Sequence, residues 1–133
     1  MTSQLESADP QAVDPQAVVK EFCAVWSRRD IEEILSWFTE DGIYHNIPMP
    51  AAVGLDAIRN LLGMIVAPSE SIEFDILRIA SAGDIVFTER IDRLLMGGRM
   101  IELPVAGVFE VRDGKIAAWR DYFDMQMFMQ PST

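Results

Sequence analysis

From residue 14 onward apolar residues recur at helical spacing, first as Val18, Phe22, Val25 and Trp26. Asp14 can cap this first helix and Pro15 can occupy its first turn. Asp30 and Glu33 form a capping-box pattern for a second, shorter helix with an apolar stripe of Ile31, Ile34, Leu35 and Phe38, ending before Asp41-Gly42. Residues 43–47 are short and β-rich, with Tyr44 and Asn46 on one face and His45 on the other, before Pro48-Met49-Pro50 breaks the run. A third helix starts at Asp56, turns Ile58, Leu61, Leu62 and Ile65 inward, and stops before Pro68.

The period then changes from helical to alternating. Ile72, Phe74 and Ile76 alternate with Glu73, Asp75 and Leu77, and Ser81-Ala82-Gly83-Asp84 turns the chain into a second long strand. Gly97-Gly98 is a two-residue hairpin signal. The strand over 99–111 contains Pro104 and Gly107, which predicts an edge position, a bulge or a sharp bend. Arg112-Asp113-Gly114 reverses the chain into a last strand. Residues 125–129 fit either a short helix or a flexible flap. Three helices followed by a meander of long strands predict an α+β fold, with the helices gathered on one side of a curved sheet and a pocket opening between them. Residues 1–13 lack a hydrophobic period, although Asp-Pro-Gln-Ala-Val occurs at 9–13 and again at 14–18. They are expected to be a tail preceding one domain over residues 14–133.

Composition narrows the partners. The 133 residues suit a single domain, and half are hydrophobic, enough for a core plus a pocket. With 11 basic against 21 acidic residues the net charge is −10, which opposes phosphate backbones and anionic lipid surfaces. Nucleic acid and membrane are therefore not expected as partners. Cys23 is the only cysteine, so a disulfide within the chain is excluded and a reducing compartment fits. The N-terminus lacks a basic region followed by an apolar run, and no stretch reaches the roughly 20 apolar residues of a membrane helix. A cytoplasmic protein is expected.

The chemistry concentrates in two strands. Alternation puts Arg90 and Asp92 on one face with Val86, Thr88 and Leu94, opposite Phe87, Glu89, Ile91 and Arg93. In the last strand it puts Asp121 between Trp119 and Phe123, opposite Arg120, Tyr122 and Asp124. A carboxylate in a strand is ordinarily solvated. Here two carboxylates and one cation fall on otherwise apolar faces, where each is costly unless paired, so the three are expected to meet. Such a cluster is a candidate active site. His45, the sole histidine, faces away, so a histidine-based triad is not expected. Without Cys/His clustering a metal site is not expected either. Cys23 reads as inert core, and no glycine-rich phosphate loop is present.

Tyr44-His45-Asn46, Thr88-Glu89-Arg90-Ile91-Asp92, Gly107-Val108-Phe109 and Trp119-Arg120-Asp121-Tyr122-Phe123-Asp124 resemble the limonene-1,2-epoxide hydrolase family over roughly residues 15 to 128. The resemblance implies the cone-shaped α+β roll of nuclear transport factor 2-like proteins and ketosteroid isomerases, a homodimer, and no cofactor. It implies a small hydrophobic epoxide and water as substrates. Carried over by position, it makes Asp92, Arg90 and Asp121 the catalytic group, with Tyr44 and Asn46 holding the attacking water.

Those residues suit the reaction. Opening an epoxide to a vicinal diol takes a proton on the ring oxygen and a nucleophile behind carbon, so one acid and one base are needed a few ångströms apart. In this expectation Asp121, Tyr44 and Asn46 bind water and Asp121 deprotonates it. Protonated Asp92 supplies the proton, and Arg90 bridges the two carboxyls. Two alternatives stand beside it: an isomerase or cyclase of the same fold that abstracts a proton next to a carbonyl, and a non-catalytic module binding a hydrophobic ligand.

Overall fold

In the computed structural model residues 13–130 are described; of the expected tail only Val13 falls among them. The chain begins with α1 (Pro15–Val25), a single 3-10 turn at Trp26–Arg28, and α2 (Ile31–Leu35). Strands β1 (Phe38–Asn46) and β2 (Ala52–Val53) precede α3 (Leu55–Val66). Four long strands follow, β3 (Ser69–Ala82), β4 (Ile85–Met96), β5 (Arg99–Arg112) and β6 (Lys115–Tyr122), before α4 (Met125–Met129).

The helix starts obey their local chemistry. Asp14 accepts the Gln16 amide at 3.0 Å ahead of Pro15, and Asp30 accepts the Glu33 amide at 3.1 Å. Beneath them lies one open six-stranded sheet in the order β2-β1-β6-β5-β4-β3. Only β1 and β6 run parallel; the other neighbours are antiparallel. Gly97 and Gly98, with φ of 58° and 78°, supply the two positive dihedrals a tight hairpin needs. Among the described residues no helix is long and apolar enough to cross a membrane.

Two expectations change. The helical spacing places Phe38 on the second helix, but α2 stops at Leu35 and Phe38 opens β1, paired with Ile116. The reason is packing: from the strand its ring meets Phe22 edge-on at 5.5 Å, and Ser36 and Trp37 already close the helix onto Glu32, Glu33 and Ile34. The second change is partial: the strand bearing Pro104 and Gly107 is interior in the sheet order, but pairing with β6 runs only from Ala106 to Arg112, so among the described residues Pro104 has β4 alone beside it and lies at a local edge, one of the three expected settings. The missing N–H of proline is tolerated there. The irregularity on this strand falls at Glu110 and Val111, not at Gly107.

α1 packs over β3, β4 and β5, while α3 lies over β1, β2 and β3. The core between helices and sheet is unusually aromatic at its centre. Tyr44, Trp119 and Phe109 lie side by side on three adjacent strands, with Tyr44 and Trp119 stacked at 4.2 Å and 3° and Trp119 and Phe109 at 5.2 Å and 17°. Phe22 of α1 meets Trp119 edge-on at 5.1 Å. Cys23, expected as inert core, is buried beside Phe22, and burial pushes its thiol up to about 12.

Candidate active site

The register of the sheet builds the site. Asn46 lies opposite Asp121, Asp121 opposite Gly107, and Gly107 opposite Thr88, so one row crosses β1, β6, β5 and β4. Glycine in that row leaves a gap. Arg90, two residues along β4 from Thr88, extends its guanidinium into it. A Cβ on Gly107 would stand 2.4 Å from Arg90 Nη1, 2.7 Å from Asp121 Oδ1 and 2.9 Å from Thr88 Oγ1. Gly107→Ala is therefore expected to destabilise the protein by about 1–3 kcal/mol, the usual cost of overpacking, with a chemical-denaturation midpoint as the measurement. An unchanged midpoint would mean that the guanidinium is free to retreat.

Arg90 is wholly buried, and its five N–H donors are all engaged. Nε and Nη2 donate to Asp92 at 2.9 and 2.8 Å. Nη1 and Nη2 donate to Asp121 at 3.2 and 2.8 Å, and Nη1 donates to Thr88 Oγ1 at 3.1 Å. Phe74 lies against the same guanidinium, its ring centroid 5.1 Å away. Burial works against the Arg90 charge, but Asp121 and Asp92 outweigh it and hold the group protonated. Burial lifts the Asp92 carboxyl above its usual range, Arg90 opposes this, and the Asp121 charge adds to it. Two buried carboxyls thus share one buried cation, a situation that favours one proton between them.

Tyr44 and Asn46 reach the same place from β1, both buried on the face that His45 leaves. Burial raises the Tyr44 hydroxyl above its ordinary range, Asp121 adds to the rise, and the Asn46 side chain opposes it. Asp92, Asp121, Tyr44 and Asn46 all line one pocket. Its remaining wall is apolar, from Phe74, Leu94, Leu103 and Val105 on the sheet to Met125 and Phe128 of α4. The C-terminal stretch thus takes the short-helix alternative, capped by Asp124 onto the Gln126 amide at 2.9 Å. Among the described residues no three His, Cys, Asp or Glu side chains converge as a metal site.

Four of the five expected residues therefore line one pocket, and the fifth, Arg90, joins them from beneath its wall through the bonds to Asp92 and Asp121. Three contributors were not singled out beforehand. The sequence pattern puts Thr88 on the inward face without a role, reads Gly107 as marking an edge, a bulge or a bend, and reads Trp119 only as an apolar neighbour. Trp119 Nε1 in fact donates to Asp121 Oδ1 at 2.6 Å. The alternation that put residues 119 and 121 on one face was the available signal.

Residues 13–132 match the model of the limonene-1,2-epoxide hydrolase catalytic domain. Epoxide hydrolase EphG of Mycobacterium tuberculosis is 32% identical over 111 residues, covering 80% of this chain and 71% of that protein. A solved M. tuberculosis LEH-like epoxide hydrolase superposes with a TM-score of 0.76 at 33% identity, covering 86% of each chain. A Catenulispora acidiphila protein with a ketosteroid isomerase-like fold superposes at 0.73 with 22% identity, covering 81% of this chain and 85% of that one, a likeness of fold alone. From the nearly full-length match and the identity to EphG, the chain belongs to the limonene-1,2-epoxide hydrolase family.

Proposed function

We propose that this protein hydrolyses a small hydrophobic epoxide to a vicinal diol by direct attack of water, without a cofactor. The observation that carries the reading is the Arg90 guanidinium held between two buried carboxylates that line an otherwise mostly apolar pocket. An epoxide carbon placed beside that pair would have a water on Asp121, Tyr44 and Asn46 on one side and the Asp92 carboxyl at the ring oxygen on the other. Asp121 takes the proton of the attacking water while Asp92 delivers its own to the oxygen as the C–O bond breaks. Afterwards the pair holds the same single proton, now on Asp121, and its return to Asp92 resets the site. An isomerase abstracting a proton next to a carbonyl has little use for a cation bridging its acids, so Arg90 favours hydrolysis. Incubating the purified protein with a panel of cyclic and steroidal epoxides tests the reading. Diol from at least one supports it, and unchanged epoxide throughout defeats it.

Water rather than a carboxylate is the expected nucleophile. An ester route needs a free aspartate and a separate base, usually histidine, to activate water against the ester. Both aspartates are tied to Arg90, and His45 is on the opposite face of β1 from Tyr44 and Asn46. A single turnover in heavy-oxygen water, with enzyme in excess, should put the label in the diol. Unlabelled first-turnover diol, with a mass increase on a peptide containing Asp92 or Asp121, would show an ester instead.

The same reading makes the protein a cytoplasmic homodimer. Leu77, Phe87 and Tyr122 are about half exposed on the sheet face away from the helices, which they share with the Arg78–Glu89 and Arg120–Glu110 ion pairs, a mixed surface open to a second copy. Sedimentation equilibrium at micromolar concentration should return twice the 15.0 kDa chain mass; a 15 kDa species would refute the dimer.

A further inference from the structure

The site as proposed needs the one proton of its carboxyl pair to rest on Asp92 and the charge on Asp121, yet Arg90 is nearly even-handed. It gives two N–H groups to Asp92, at 2.9 and 2.8 Å, and two to Asp121, at 3.2 and 2.8 Å. Both carboxyls are buried on the same pocket wall. What distinguishes them is a third donor. Trp119 Nε1 reaches Asp121 Oδ1 at 2.6 Å, whereas among the described residues no side-chain donor besides Arg90 reaches Asp92.

We infer that the Trp119 indole N–H is the positioning group that sets the direction of the reaction, holding the charge on Asp121 and so leaving the proton on Asp92. It rests on the reading of Asp121 as base and Asp92 as acid. An indole nitrogen donates and cannot accept, so its bond to Oδ1 is kept only while that oxygen offers a lone pair. Oδ1 already takes Arg90 Nη1, and Oδ2 takes Arg90 Nη2, so donors meet both Asp121 oxygens. A donor to the charged form favours that form.

The ring is held to this task by its neighbours. Trp119 is stacked between Tyr44 and Phe109 and capped by Phe22, so its N–H direction is set by packing on three sides. The other titratable groups facing the pair are Arg90 on β4, Tyr44 on β1 and Cys23 on α1, and Tyr44 and Cys23 both stay neutral near pH 7 because burial raises them.

The test replaces Trp119, by site-specific stop-codon suppression, with benzothienylalanine, which keeps the bicyclic ring and puts sulfur where the N–H was. Carbon-13 resonances of the labelled aspartate carboxyls, told apart with Asp92→Asn and Asp121→Asn, report where the proton sits. Loss of the donor should move the proton partition about tenfold toward Asp121, the size expected of one hydrogen bond to a charged group. A smaller shift in the opposite direction is expected for 5-fluorotryptophan at 119, whose N–H is a stronger donor, and this second variant decides the matter if the sulfur analogue does not fold. The pH profile of kcat/KM should move with the carboxyl signals while KM changes little. Carboxyl signals unmoved in the folded variants would overturn the inference. Because those signals are read without substrate, they decide it even if the epoxide panel gives no diol, an outcome that would defeat the hydrolysis reading separately.

Discussion

Asp92→Asn and Asp121→Asn are each expected to leave a folded protein whose epoxide turnover falls at least about a hundredfold, the lower range for loss of a general acid or base. The amide is nearly isosteric with the carboxyl but can neither give up a proton at Asp92 nor take one at Asp121. The two variants should differ in stability. An Asn side chain offers one acceptor oxygen and one NH2. At position 121 both oxygens face donors, two from Arg90 and one from Trp119, so the NH2 must confront at least one of them. At position 92, where the proposed resting form is already protonated, an NH2 replaces an OH at smaller cost. Thermal unfolding should therefore place Asp121→Asn below Asp92→Asn. Near-normal turnover in either, with unchanged far-UV dichroism, would remove that residue from the mechanism.

The inward faces of β4 and β6 were legible in the sequence because period-two alternation is strict there. Val86, Thr88, Arg90, Asp92 and Leu94 are all buried, as are Trp119 and Asp121. That two acids and an arginine on such faces must meet follows from the cost of burying them apart. Alternation says which face a residue takes but not which residue of the next strand lies beside it. The row from Asn46 through Asp121 and Gly107 to Thr88 depends on register across three pairings, one of them the parallel contact of β1 with β6. Gly107 illustrates the consequence. A glycine in a strand pattern reads as an edge, a bulge or a bend, whereas its use here is to leave out the one Cβ that would collide with Arg90. Phe38 shows the complementary failure, since helical spacing from Ile34 was satisfied by a residue whose ring finds Phe22 from a strand.

Removing the cation while keeping volume, as in Arg90→Met, is expected to cost about 3–5 kcal/mol near pH 7, the penalty for leaving buried charge unpaired. The loss should depend on pH in a definite sense. In the native protein burial raises Asp92, with Arg90 the only cause acting the other way and Asp121 adding to the rise. Without Arg90 the raising causes alone remain, so the folded-state value climbs further above that of the unfolded chain. A carboxyl raised on folding does no harm below its unfolded value, about 3.9, and the penalty grows as pH climbs through the folded value. Arg90→Met should thus lie closest to the native protein near pH 4 and furthest from it near neutrality. Arg90→Lys separates charge from geometry, because it restores a cation but replaces five donors in a planar fork by three on a point charge. It should recover much of the neutral-pH stability while turnover stays severely reduced. Urea unfolding of both variants at several pH values, beside their diol production, reads these effects; a penalty for Arg90→Met that is the same at pH 4 and pH 7 would mean that the carboxyl pair does not depend on Arg90 for its charge.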